Sequence, residues 1–575
     1  MADIKDIVQR REELKTRKSN WEYPFQILGK YIYTRKQQFQ QTLNEGSFLN
    51  DGMINDSTAV RANAAMASAI MGALWKSGGK TFRIRKPDWM ENSSANKKYY
   101  KAVNKEIAEA MESPKAGFEM AFHEFLCEEG AFGTSGLALF QGDYQNPLIF
   151  KSWSIQTLMV AEGPDGFVDT VYYDERITIH SLVGRYGLKA LPKDLQDKYN
   201  NPKTKYDKVV LSVGIEPRNE DEQKKGGASD KGMPVASYHF IAEDQAMLKE
   251  SGYAEMPVRV GRWYKLSNEE YGRSPGMDAL PAIMQINAFK ESLLVGVEKK
   301  VDPPLYVMDD GALGAAVVDT SARGLSVFNA IGRAPGQPPI GQLMDIGELQ
   351  SVALAIEKTA EEILQHFLID KLYDLNNKTR MTLGEAEIRQ QIRGDALSSI
   401  YARHTAEILN PLITRAYNIL FGMGILGIKE DDEPTRKLLE AEGVEPIILP
   451  PDVVAAIELN RTLYEIDYIS PAANVMREGE YQGIIATVNN VIQLAQVKPD
   501  VVDVVDTDRV IEYSQELGGA PADIINAVDK IEQIRADRAE AQKAAAEAEM
   551  AQMKTQALKN AGQGAQALSA AEGGE

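Results

Sequence analysis

Three short stretches carry residue types that could do chemistry. Residues 77–81, "SGGKT", have the Gly-Lys-Thr ending of a phosphate-binding loop, in which backbone N–H groups and a lysine cradle the phosphates. That loop needs another glycine five positions before Gly79, and Leu74 stands there, inside a helical pattern. A glycine turn ending a helix is the better reading. Residues 133–136, "GTSG", offer the serine of a nucleophile elbow, but the second flanking glycine falls on Leu137. A tight turn leading into a strand fits them instead. Residues 123–127, "HEFLC", begin like a metalloprotease helix, yet Cys127 replaces the second histidine and no downstream ligand follows. One helix face, with Glu124 exposed and Cys127 half-buried, is expected there. The remaining histidines, His180, His239, His366 and His404, have no metal-ligand spacing, and one cysteine excludes an intrachain disulfide. No catalytic residue, metal ligand or cofactor is predicted.

The elements that would position such residues therefore matter more than the residues themselves. At 575 residues the chain exceeds one ordinary core, so three or four domains are expected. Its net charge of −19 argues against gripping nucleic acid over a broad basic face, though not against letting it slide past. No signal segment or 18-residue apolar run is present, which predicts a soluble protein made in a cytoplasm, without membrane contact.

Helix is predicted over 1–45, from Asp56 or Ser57 until just before Ser77-Gly78-Gly79, and over roughly 98–130. Strand patterns follow in "SGLALFQG", "FVDTVYYDERIT" and "ASYHFIAEDQAMLKESGY", which makes an α+β body of residues 1–270. The charged stretch 217–234 reads as a solvated, mobile loop. A long helix then starts with Asp278 as cap and Pro281 in its first turn. Its apolar stripe is Ala279, Ala282, Ile286, Phe289, Leu293 and Val297, a rod of roughly 33 Å. Lys299 and Lys300 suit its last turn, and Pro303-Pro304 forbids continuation. A compact Gly- and Pro-rich insert fills 301–345, and a second long helix begins near Ile346 with Glu357, Glu361 and Glu362 opposite its apolar stripe. A third, about 383–423, should kink at Pro411. Strands and loops are expected over 425–468, helices from about 478, and an Ala-rich helix to about Leu558 that fades into disorder.

These residues resemble the head-to-tail connector, or portal, family of short-tailed bacteriophages. The most specific block is "GYAEMPVRVGRWYKLSNEEYGRSPGMDALPAIMQIN", with Pro257, Arg262, Trp263, Tyr271, Gly272, Arg273, Pro275, Leu280, Pro281 and Asn287 on the family pattern. "EEGAFGTSGLALF", "ILNPLITRAYNILFGMGIL" and "YISPAANVMREGE" match in the expected order. The resemblance implies a mixed α+β, predominantly helical, portal-type fold that assembles as a ring of twelve. It divides the chain into a wing (1–275), a first stem helix (276–300), a clip (301–345) and a second stem helix (346–376). A channel loop (377–384), a return to the wing with a long kinked helix (385–475), a helical crown or barrel (476–558) and a disordered tail (559–575) complete it.

The function implied is a structural conduit for double-stranded DNA at one capsid vertex, in the virion and assembled in the host cytoplasm. Its partners would be further copies of itself, a terminase or packaging ATPase, tail adaptor proteins, and scaffold and major capsid proteins. Lys378 and Arg380, in a stretch that resembles the channel-facing loop, and Lys299 and Lys300 near the clip are the candidate DNA-facing cations. Trp263, Tyr271, Gly272, Arg273, Pro275, Pro303 and Pro304 read as structural, setting the angle and exit of the long helix. The packaging ATPase itself is disfavoured by the missing glycine at Leu74. A tail adaptor or coat component outside the DNA channel is the alternative.

Overall fold

The computed structural model describes residues 3–34, 54–75, 81–227, 229–309, 318–329, 338–345, 347, 349–372, 397–468, 483–494, 510–511, 531, 533–545 and 550–555. Four residues of "SGGKT", the stretch with Lys378 and Arg380, and the tail after 555 lie outside the described residues. The chain gathers into two units. One is drawn from 1–81 and 107–423, the other from 82–106, 424–469 and the C-terminal stretch.

In the first unit, α1 (Ile4–Tyr31) starts on Asp3, whose carboxylate accepts the Lys5 N–H. Helix α2 (Thr58–Leu74) follows Ser57, and Asp56 accepts the Thr58 N–H at 2.8 Å. The single helix expected over 98–130 is two, α3 (Ser94–Glu112), whose residues 94–106 belong to the second unit, and α4 (Phe118–Phe132). Pro114 forbids a helical residue before it, and Gly117, at φ +72°, starts the next helix. Helix α4 passes through Gly130 and ends on Gly133, at φ +81°, whose N–H donates to the Glu129 carbonyl.

Two antiparallel sheets follow. Strand β2 (Thr134–Gln141) lies between β3 (Leu148–Trp153) and β9 (Val258–Arg262), with Gly136 opposite both Trp153 and Val260. The second sheet runs in chain order through β4 (Leu158–Glu162), β5 (Val168–Thr178), β6 (Lys208–Pro217), β7 (Val235–Ile241) and β8 (Ala246–Tyr253). Its covered face packs Met159, Tyr172, Tyr238 and Phe240 against Ile7 and Leu14 of α1. Helices α5 (Ile179–Tyr186) and α6 (Lys193–Asn200) connect β5 to β6. The charged stretch after β6 is not the solvated loop expected. It forms α7 (Glu220–Gly226), closed by a capping box of Asn219 and Glu222. Buried Arg218 ties it down by donating to the Asp230 and Ser251 carbonyls at 3.1 and 2.9 Å.

The long helix α8 (Pro275–Val301) begins earlier than Asp278. Ser274 is its cap, Pro275 its first residue, and Pro281 lies inside it. It leads into a three-stranded sheet in which β10 (Leu305–Asp309) pairs parallel with β11 (Leu325–Asn329) and antiparallel with β12 (Ile340–Gln342). Helix α9 (Gln350–His366) returns along α8, followed by α10 (Ile369–Leu372). The disruption expected at Pro411 takes the form of a π-helical turn, Thr405–Leu409, between the helix at 397–404 (α11) and α12 (Asn410–Gly422). Proline lacks the N–H that would bond the carbonyl of Glu407, and the wider turn carries the helix past that gap.

In the second unit, β1 (Phe82–Arg85) pairs antiparallel with β13 (Glu465–Tyr468), and Arg85 grips Glu465 and Asp467 at 2.5 and 3.1 Å. The stretch 425–468, expected as strands and loops, also holds α13 (Glu433–Ala441) and α14 (Pro451–Glu458). Both have proline in their first two positions, where the missing N–H has no intrahelical partner to lose. Residues 483–494, 533–545 and 550–555 are helical. Among the described residues no helix is long and apolar enough to cross a membrane.

Candidate functional site at the two ends of the long helix

The block of the sequence from Pro257 to Asn287 converges on the root of α8, where backbone meets backbone. Gly133 at the end of α4 lies so close to Gly272 that a Cβ on it would press the Gly272 carbonyl and stand 2.7 Å from the Arg273 carbonyl carbon. A Cβ on Gly272 would stand 2.9 Å from the Arg262 Cβ, and one on Gly276 2.7 Å from the Ile32 Cδ1. Only glycine permits this approach. Hydrogen bonds then fix the crossing. Gly272 N–H donates to Thr134 Oγ1 (2.7 Å), and Trp263 N–H to the Gly133 carbonyl (3.0 Å). Tyr264 and Arg273 exchange a reciprocal backbone pair at 3.0 and 2.7 Å. Ser274 Oγ donates to the Ala131 carbonyl (2.8 Å) and accepts the Met277 N–H (2.9 Å), so one buried hydroxyl caps α8 and binds it to α4.

Side chains seal the same junction. Tyr271 is 1% exposed, its hydroxyl accepts the Val160 N–H, and burial raises its pKa. Its ring meets Trp21 and Phe25 of α1 at 5.9 and 6.3 Å. Arg273 makes two bonds to Glu269 (3.0 and 2.7 Å) and lies 5.6 Å over the Trp21 ring, so its partners are within its own chain. Trp263 packs edge-on to His404 at 5.8 Å.

His404 opens a buried set of charges that lie far apart along the chain. Its Nε2 faces Glu129 Oε2 at 2.7 Å and its Nδ1 faces the Ile400 carbonyl at 2.8 Å. Both neighbours offer acceptor oxygens, an arrangement that favours the doubly protonated imidazolium. Burial opposes that charge, but Glu129 and the Ile400 carbonyl raise the pKa above its ordinary value. Arg262, 1% exposed, donates to the Gly166 carbonyl (2.7 Å) and approaches Glu407 at 3.5 Å and Glu162 at 3.6 Å. Burial raises the Glu407 carboxyl despite the facing Arg262 and Arg403. The ends of α4, β9, α11 and its π turn are thereby locked by ionic contacts in a dry setting, where removing one partner is more damaging than in water. "HEFLC" has no such role. Cys127 is buried, not half-buried, and Glu124 is half-buried, not exposed; His123 contacts Ser68 Oγ at 3.1 Å. Among the described residues no group of three or more His, Cys, Asp or Glu could hold a metal.

The far end of α8, about 40 Å away along its axis, differs in kind. Lys299 is half-buried and Lys300 exposed, in the last turn, and neither makes an ion pair among the described residues. Asp302 closes the helix, and Arg323 bonds its carboxylate at 2.9 Å. Pro303 and buried Pro304 carry the chain into β10, where the Pro304 carbonyl accepts the Leu343 N–H.

The sequence model of the bacteriophage head to tail connecting protein family matches residues 4–433 and 437–525. The chain belongs to that family. It is 24% identical over 555 residues to a probable portal protein of Bordetella phage BPP-1, covering 95% of this chain and 93% of that one. It is also 24% identical over 560 residues to the portal protein of Salmonella phage epsilon15, covering 96% and 94%. A chain from the virion of a native gene transfer agent particle aligns at a TM-score of 0.30 and 11% identity, over 71% of this chain and 91% of that one, too slight a likeness to define the fold. The head-to-tail connecting family is a structural one. Within it, this member brings Trp263, Tyr271, Gly272, Arg273 and Pro275 together at the α8 root and places Lys299, Lys300, Pro303 and Pro304 at the tip. Missing from the sequence reading were Glu129, His404 and Glu407, and the roles of Gly133 and Gly276 as packing glycines. Glycines at the C-terminal end of α4 and in the first turn of α8 were the signal that could have found the last group.

Proposed function

We infer that this connector is the portal of a tailed-phage capsid, a structural ring at one vertex through which double-stranded DNA passes on packaging and ejection. The observation that carries the reading is the family match along nearly the whole chain. The architecture supports it: α8 is rooted in the body, its outer half carries exposed apolar residues, and a small sheet joins it to α9. Such a rod serves as a stem, the β10–β12 sheet as a clip and the α+β body as a wing. Head-to-tail contacts close a ring of twelve. Multiplying −19 around an axis makes an acidic wall that keeps duplex DNA from adhering, with Lys299, Lys300, Lys378 and Arg380 as basic rings that centre it. The ring would dock terminase and tail adaptors, contact scaffold and major capsid protein during assembly in the host cytoplasm, and catalyse nothing itself.

Negative-stain electron microscopy of the purified chain tests this. Rings with a central channel and about twelvefold symmetry are expected. Monomers or open filaments at high concentration would sink the autonomous ring and favour a tail adaptor or coat component.

A further inference from the structure

A second basic surface lies far in sequence from those four cations. Residues 179–208 hold seven Lys and Arg against three Asp, a net of +4 that leaves −23 for the rest of the chain. This segment is α5, α6 and the loop into β6, and it is folded tightly. Leu182, Leu191 and Leu195 are buried beneath it. The loop is stapled back on α5, since the Ile179 and His180 N–H groups donate to the Asp207 and Lys205 carbonyls at 3.0 and 3.1 Å. Thr204 Oγ1 donates to the Lys198 carbonyl at 2.7 Å. The His180 ring stacks on Tyr199 (6.2 Å, 7°) and meets Tyr206 edge-on (5.6 Å). Lys205 Nζ lies 4.9 Å from the Tyr199 ring and 5.8 Å from the Tyr206 ring, which fixes its position.

Around this clasp Lys189, Lys193, Lys198 and Lys203 are exposed, and none makes an ion pair among the described residues. Asp194 and Asp197 share α6 with two of them without closing on either. Elsewhere exposed helical lysines do find partners, Lys224 with Glu220 and Lys437 with Glu433. A fixed surface of unpaired lysines on an acidic chain calls for a polyanion.

We propose that the α5–α6 surface binds the phosphate backbone of duplex DNA, independently of sequence. Two observations select that partner. Protein interfaces are depleted in lysine, whereas phosphate backbones are bound chiefly by lysine and arginine. The three rings are engaged with one another and with Lys205, so the surface presents cations rather than an open platform for unstacked bases. The choice of duplex DNA rests on the portal reading; the cationic surface does not.

The test is fluorescence anisotropy of a 30-base-pair duplex with the full chain from 50 to 200 mM salt. The K189Q/K193Q/K198Q/K203Q variant is compared with a K299Q/K300Q/K378Q/R380Q variant. The first should lose at least about tenfold in affinity and show a salt slope shallower by about three to four, with the second close to wild type. Lys189, Lys193, Lys198 and Lys203 are exposed, so thermal unfolding of the first variant should not change. Three results would overturn the proposal: no duplex binding by the wild-type chain, the whole loss falling on the second variant, or polyglutamate displacing the duplex at equal charge, which would assign the surface to an acidic protein. Negative-stain images of the same samples separate this from the portal reading. Loss of binding without rings in any sample would retire the portal and keep the surface.

Discussion

The two halves of α8 share one apolar pattern and meet different fates. In the root, Ala279, Ala282, Ile283 and Ile286 are all buried, and Asn287 accepts the Asn55 and Asp56 N–H groups while Lys290 pairs with Asp56. In the outer half, Leu294 is 64% exposed and Val301 74%, with Val295 and Val297 also open. The chain completes the first half by itself and leaves the second unfinished. Large exposed apolar residues in a row mark a surface made for association, so the root should answer to mutation as a core does and the outer half as an interface does.

The largest effect is expected where charge is buried deepest. Glu129→Ala removes the carboxylate bonded to the buried His404 ring and should destabilise the unit by about 3–5 kcal/mol. A urea midpoint equal to wild type, followed by tryptophan fluorescence, would show that the pair is not structurally coupled. Next comes Gly133→Ala, where a positive φ and the Gly272–Arg273 backbone both resist a methyl group. About 3 kcal/mol of destabilisation is expected. Gly184→Ala is the contrast, because nothing lies within 4 Å of its added carbon and α5 should gain slightly. If both glycines tolerate alanine, the close approach at the root is not what sets the helix.

A third effect depends on pH. The folded pKa of His404 is raised, so its contribution is fully present below about 6.5, the unfolded value, and is lost as pH rises through the folded value. The slope it adds is at most about 1.4 kcal/mol per pH unit. Glu407, also raised, acts in the same direction but from about 4.3 upward. His404→Gln should therefore flatten stability above about pH 6.5 and leave the lower part of the profile. A variant profile parallel to wild type across that window would mean that the ring is neutral in the folded chain.

Much of this was legible in the residues. Period and composition placed α8, α2 and the strands β2, β5, β7 and β8, because apolar spacing reports local geometry directly, whereas β4 and β6 were not singled out. Helix starts were harder: Ser274 was passed over for Asp278, and the break at Ser113-Pro114 was hidden by apolar positions that continue on both sides. At α14 the pair Pro450-Pro451 read as part of a strand-and-loop segment, although proline there stands where helices accept it. The block around Tyr271, Gly272 and Arg273 could be singled out, but its partners could not. Glu129 and His404 are 275 residues apart, and nothing in the neighbourhood of either names the other. Buried charge pairs are a property of the tertiary fold, so a local reading sees only a scattered histidine.

The smallest effect on the chain tests the other half of α8. Leu294→Lys and Val301→Lys change exposed side chains near a helix C-terminus, where a cation is favourable, so the isolated chain should keep its stability within about 0.5 kcal/mol. Assembly should respond in the opposite sense. If these residues complete a neighbour's core, a lysine at each position must bury an unpaired charge at every contact around the ring, and the rings expected in negative stain should not form. Normal rings from the double variant would place the contacts elsewhere and leave the outer half of α8 as a solvated rod. A chain destabilised by more than about 1 kcal/mol would instead mean that this half is covered within its own subunit, and the contrast between root and tip would fail at its source.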